Sequence, residues 1–83
     1  MDKKLIEVYV PALSESFDIF VPKKCMVYEL LALISQTIAS LSSDRYVHTR
    51  NSMLCYRDNG RIMDINATAE EAGIENGLQL LLI

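Results

Sequence analysis

Thr68-Ala69-Glu70-Glu71-Ala72-Gly73-Ile74-Glu75-Asn76-Gly77 leads directly into Leu78-Gln79-Leu80-Leu81-Leu82-Ile83, and the way these two stretches join decides the fold. The first reads as a single helical turn, with Gly73 where a helix C-cap places glycine. Gly77 then breaks the chain. In the second stretch Leu78, Leu80 and Leu82 share one face of a pleated strand, and Gln79, Leu81 and Ile83 share the other. A strand that is largely apolar on both faces belongs inside a sheet. The expectation is a last strand locked into the middle of a mixed sheet, with no glycine tail behind it.

Working outward, Met53 to Arg57 reads as a strand, Asp58-Asn59-Gly60 as a tight turn, and Arg61 to Asp64 as a short return strand. Ser40 to Asn51 is polar and aperiodic, which predicts a long loop. Before it, Val27, Leu30, Leu31, Ile34, Ile38 and Leu41 fall on one helical stripe facing a core, with Tyr28, Glu29, Ser35, Gln36 and Ala39 off it. Pro22 ends a preceding strand, because proline has no N–H to give a ladder. Leu5–Val10 and Ser16–Val21 alternate with period 2, placing Ile6, Val8 and Val10 on one face and Phe17, Ile19 and Val21 on one face. The short Pro11–Glu15 connection makes them an antiparallel hairpin. The order is strand, strand, helix, strand, short strand, helical turn, strand.

Eighty-three residues are expected to form one domain, 1–83, in which nearly every apolar side chain serves one core. The net charge is −3, with six basic and six acidic residues in 1–50 and two and five in 51–83. No basic patch emerges, so a nucleic-acid partner is not expected. No segment is apolar for long enough to insert in a membrane, and the start of the chain leads straight into a strand without a signal-peptide core. These features predict a cytoplasmic protein. Cys25 and Cys55 are too few for a disulfide framework and read as reduced, packed thiols.

The element order resembles the ubiquitin-like β-grasp, an α+β fold with a mixed sheet, and the resemblance spans essentially the whole sequence. It is carried by the hairpin faces Ile6/Val8 and Phe17/Ile19/Val21, the helix after Pro22, Leu54-Cys55-Tyr56, and the closing phrase from Thr68 through Gly73-Ile74 and Gly77 to Leu80. Within that group the chain is similar to the YukD/EsaB proteins associated with type VII (Ess/Esx) secretion in Gram-positive bacteria, and to the ubiquitin-like domain of a related membrane component in actinobacteria. The residues concerned are Asp18 and Pro22 leading to Val27-Tyr28-Glu29-Leu30-Leu31, together with Ala72-Gly73-Ile74-Glu75-Asn76-Gly77-Leu78. Ala69 stands where leucine is usual, and the 42–51 loop is longer and more polar than the group's pattern. The resemblance implies an accessory or regulatory protein-interaction module that contacts a membrane component of the secretion machinery.

The alternative within the fold is a ubiquitin-like modifier or sulfur carrier, whose flexible Gly-Gly end is activated by a partner enzyme. Here Leu81-Leu82-Ile83 has a strand pattern instead. Extracting it would break ladder bonds and expose core side chains, at a cost of several kcal/mol. No enzyme chemistry is expected either. His48 is a lone histidine in a polar loop, Glu70 and Glu71 are adjacent and diverge, and no glycine-rich phosphate loop is present. Cys25 beside Lys23 and Lys24 reads as a packed residue at the helix start. No cofactor or metal is implied.

A binding surface follows from period 2. If Ile6, Val8, Leu54, Leu78, Leu80 and Leu82 face the helix, then Tyr9, Met53, Cys55, Leu81 and Ile83 face outward on neighbouring strands. An apolar outer face is the signature of a partner site, and the same face would also serve a homodimer. Ubiquitin presents an apolar patch on this face, as the resemblance implies.

Overall fold

Two alternating strands, β1 (Lys3–Val10) and β2 (Glu15–Pro22), form an antiparallel hairpin in register from Lys3–Pro22 to Val10–Glu15. The computed structural model describes residues 3–47, 49 and 51–83; His48 lies outside them. Helix α1 (Val27–Leu41) follows, then β3 (Leu54–Tyr56) and β4 (Gln79–Leu82). The sheet order is β2-β1-β4-β3, with β4 parallel to β1 and antiparallel to β3. The expected interior place of the last strand is observed.

The core lies between one sheet face and α1. Ile6, Val8, Val10, Ile19, Val21, Leu54, Leu80 and Leu82 from the strands meet Val27, Leu30, Ile34 and Ile38 from the helix, all buried. Each large aliphatic side chain hidden this way contributes about 1.5–3 kcal/mol. Between the layers, the segment from Asp64 to Gly77 is stitched on by its backbone. The first helical amides, which have no partner within the helix, donate to it: Val27 N–H to Ala67 O at 2.9 Å and Tyr28 N–H to Ile65 O at 3.2 Å. Ala69 N–H returns a bond to Cys25 O at 2.8 Å. Ala69 and Ile74 are fully buried as a result.

Entry into β4 is fixed by β1. Gly77, at φ 87°, donates to Leu5 O at 2.9 Å, and the Asn76 side chain accepts from Leu5 N–H at 2.8 Å. Nearby, Lys23 and Lys4 each lie 3.4 Å from Glu75. Lys23 first, through hydrogen bond and charge, and then Lys4 hold the Glu75 carboxyl below its ordinary range.

Some sequence expectations are modified. The return strand over 61–64 is reduced to one bridge, Ile62 with Cys55, and a bond from Met63 N–H to Leu54 O at 2.9 Å. Met63 is buried as a plug, and its neighbours Arg61, Ile62 and Asp64 are exposed. The single helical turn expected over Thr68–Ala72 is observed, closed by Ala72 N–H to Thr68 O at 3.0 Å and followed by Gly73 at φ 84°. Leu41 is 59% exposed although it lies on the expected stripe. Near the helix end Ser35, Ile38 and Ser42 are buried instead, and Tyr46 folds back to bond Ser42.

That last packing changes the reading of the 42–51 segment. Tyr46 is buried within the main core cluster, and its hydroxyl lies 2.9 Å from Ser52 Oγ. Ser52 Oγ also accepts Thr49 N–H at 3.0 Å, and Ser42 Oγ accepts Tyr46 N–H at 3.3 Å. Ser42, Tyr46, Thr49 and Ser52 thus satisfy one another, so part of what reads as a solvated loop is packed against the core.

Ser35 is different. Its hydroxyl is buried with no hydrogen-bond partner among the described residues. An unsatisfied buried hydroxyl costs about 1–3 kcal/mol, and alanine is the better helix former. Ser35→Ala should therefore raise the unfolding free energy by about 1 kcal/mol in urea titration; a loss of stability would contradict the assignment.

Candidate interaction face

The sheet surface opposite α1 carries the expected site residues, and register decides what each meets. Across it, Glu7 stands opposite both Asp18 and Gln79, and Tyr9 opposite both Ser16 and Leu81. Leu81 is opposite Cys55, which is bridged in turn to Ile62. Met53 and Ile83 exchange both backbone bonds, each at 3.0 Å. The face is therefore built in rows.

One row is polar. The Gln79 side-chain amide donates to Glu7 Oε1 at 2.8 Å, and Arg57 Nη1 lies 3.4 Å from the same oxygen. The Arg57 guanidinium sits 5.1 Å above the Tyr9 ring centroid. Such a contact adds about 0.5–1 kcal/mol at an exposed site and covers part of the ring. The next rows are apolar: Tyr9, Leu81, Cys55 and Ile62, then Ile83 with Met53. Exposure rises toward the β3 side, from half-buried Tyr9 and Leu81 to Met53 at 37%, Ile83 at 54% and Ile62 at 61%.

Of the five expected residues, Tyr9, Met53, Leu81 and Ile83 are brought together with accessible surface. Cys55 is not. It belongs to this face by register but is 1% exposed, so it offers a partner nothing. The reason is its position: a small side chain flanked by Leu81 on one side and Ile62 on the other. Ile62 takes its place, and its signal was available. With Met63 buried at the next position, period 2 turns Ile62 outward. Phe20, 65% exposed opposite Leu5, is the second apolar residue missed.

A concave region lies between Cys25–Met26 and Thr68–Glu71. Its backbone donors are taken: Met26 N–H by Glu29 at 2.9 Å, and Thr68 N–H by Glu71 at 2.9 Å. Burial, and then the Glu29 charge, push the Cys25 thiol above its ordinary value; burial alone does so for Cys55. A raised thiol is a poor nucleophile near neutral pH. Nothing here activates chemistry.

No family model matches the chain, and no curated protein does. Solved structures do match. A protein designed on the basis of ubiquitin is 20% identical, with 99% of this chain and 88% of that one covered at a TM-score of 0.71. The fold is the ubiquitin-like β-grasp. The EccD5 ubiquitin-like domain from Mycobacterium xenopi is 14% identical, covering 100% of this chain and 94% of that domain at 0.72. A chain of the MycP5-free ESX-5 inner membrane complex is 13% identical over 100% of this chain and 21% of its own length, at 0.71. Likeness at these identities establishes the fold alone. No helix among the described residues is long and apolar enough to cross a membrane.

The thiols give a direct check of this face. In the native protein Cys55 should resist iodoacetamide until unfolding, while Cys25 should label slowly at pH 7 and faster as pH rises past the ordinary thiol range. Rapid native labelling of Cys55 would show that the Leu81–Ile62 cover is absent.

Proposed function

We propose that this protein is a non-catalytic ubiquitin-like interaction module that docks a protein partner on its outer sheet face through Tyr9, Ile62, Met53, Leu81 and Ile83. One observation carries the reading. The rows around Ile62, Met53 and Ile83 keep large apolar side chains in solvent on a face where the neighbouring row, Asp18–Glu7–Gln79, is polar. Water-facing strand positions without a role are ordinarily polar, and contiguous apolar surface with a polar rim is the pattern of a binding site.

The partner is proposed to be a cytoplasmic portion of a membrane component of a type VII secretion machine, with this chain as an accessory or regulatory subunit acting in the cytoplasm. The likeness to the EccD5 ubiquitin-like domain and to an ESX-5 inner membrane complex chain supports that choice. So does the sequence resemblance to the YukD/EsaB proteins.

Ile62→Asp and Ile83→Asp test this, since both side chains are more than half exposed and should be replaceable without loss of fold. With thermal unfolding essentially unchanged, each should weaken binding to the purified cytoplasmic segment of the secretion component at least tenfold by calorimetry. Binding that survives both substitutions would remove the outer face from consideration.

A further inference from the structure

The free edge of β2 carries a second interaction, independent of the outer face. Gly77 N–H donates to Leu5 O, and Glu7 N–H to Leu78 O. The odd residues of β1 thus turn their backbone groups toward β4, leaving the even ones for β2. Those even residues stand opposite Val21, Ile19, Phe17 and Glu15, which makes these the hydrogen-bonded pairs of the ladder. The even residues of β2 must then aim their backbone groups away from the sheet. Ser16, Asp18 and Phe20 present N–H and C=O groups there, and Pro22 presents a C=O. Proline in this strand is tolerated for the same reason: its missing N–H falls on the free side.

We propose that this edge pairs with the β2 edge of a second copy, antiparallel about Ile19, joining two four-stranded sheets into one. In that register Asp18 lies opposite the partner's Phe20 and exchanges both backbone bonds with it, in each of the two symmetric pairs. Ser16 N–H donates to the carbonyl of the partner's Pro22, where the absence of a proline N–H costs a single bond. Every free edge donor is used. Centring on Asp18 instead would set two carboxylates face to face, which like-charge repulsion disfavours.

Charge selects the second copy as the occupant. β2 begins acidic at Glu15, 2.6 Å from Arg45, and is followed by basic Lys23, 3.4 Å from Glu75, so antiparallel alignment about Ile19 sets Glu15 opposite the partner's Lys23 at both ends and joins these ion pairs into one mixed-charge cluster. The exposed Phe20, already opposite Leu5 within the chain, gains cover at the centre. Unpaired edges are templates for this kind of addition, and an interface of this size is expected to be weak and transient.

Sedimentation across a concentration series should show the mass rising from 9.4 kDa toward twice that value. Amide exchange at Ser16, Asp18 and Phe20 should slow as concentration rises. Asp18→Pro removes a central outward donor without touching the β1 ladder and should leave a monomer. Glu15→Lys and Lys23→Glu should each weaken self-association, and mixing the two variants should restore it, an outcome that misfolding cannot imitate. A mass fixed at the monomer value up to millimolar concentration would overturn the proposal. So would a dimer indifferent to these substitutions, or one that protects Met53 and Ile83 instead. Protection of the three amides only when an unrelated extended peptide is added would also overturn it, assigning the edge to a heterologous strand.

Discussion

The position of β4 is the constraint on which the remaining structure depends. It bonds to β1 on one side in parallel and to β3 on the other antiparallel, so every hydrogen-bonding direction of its backbone is used. Parallel neighbours cannot be joined by a tight turn. The chain between β1 and β4 must therefore travel, and α1 crosses the sheet in the course of it. Leu80 and Leu82 join Leu30, Ile34 and Ile38 in one buried core. Remove that strand and β3 loses its ladder partner among the described residues, while the core loses Leu80 and Leu82.

The same strand sets the chemistry of the opposite face. Period 2 sends Gln79, Leu81 and Ile83 outward, one polar and two apolar, and register carries that division across neighbouring strands. Gln79 extends into the Glu7–Arg57 network; Leu81 extends into Tyr9, Cys55 and Ile62; Ile83 pairs with Met53. An interaction surface and a hydrophobic core are thus two sides of one short segment. Substitutions at exposed ends of the rows separate them, whereas half-buried Leu81 belongs partly to both.

The hairpin, the helix and the last strand were legible in the sequence because each repeats a single period against a uniform environment. Ile6/Val8/Val10 and Leu78/Leu80/Leu82 have one covered face, and their alternation records it. The misreadings fall where long-range packing replaces periodicity. Tyr46 sits in a polar, aperiodic run and is buried only because Ser42 and Ser52 accept its polar atoms. Ser35 lies off the apolar stripe and is nevertheless buried. Cys55 has the correct face but the wrong accessibility: alternation gives direction, while burial depends on what stands in the adjacent rows. Ile62 escaped notice because period 2 was applied to the long strands and not to the short return segment beside Met63.

Amide hydrogen exchange at Leu80, Leu81 and Leu82 tests the central place of β4 most directly. The account predicts that these amides exchange only through global unfolding, with protection equal to the free energy from denaturant melting. Protection at the level of fraying termini, while α1 and the β1–β2 hairpin remain protected, would show that the sheet does not depend on this strand and would contradict the account.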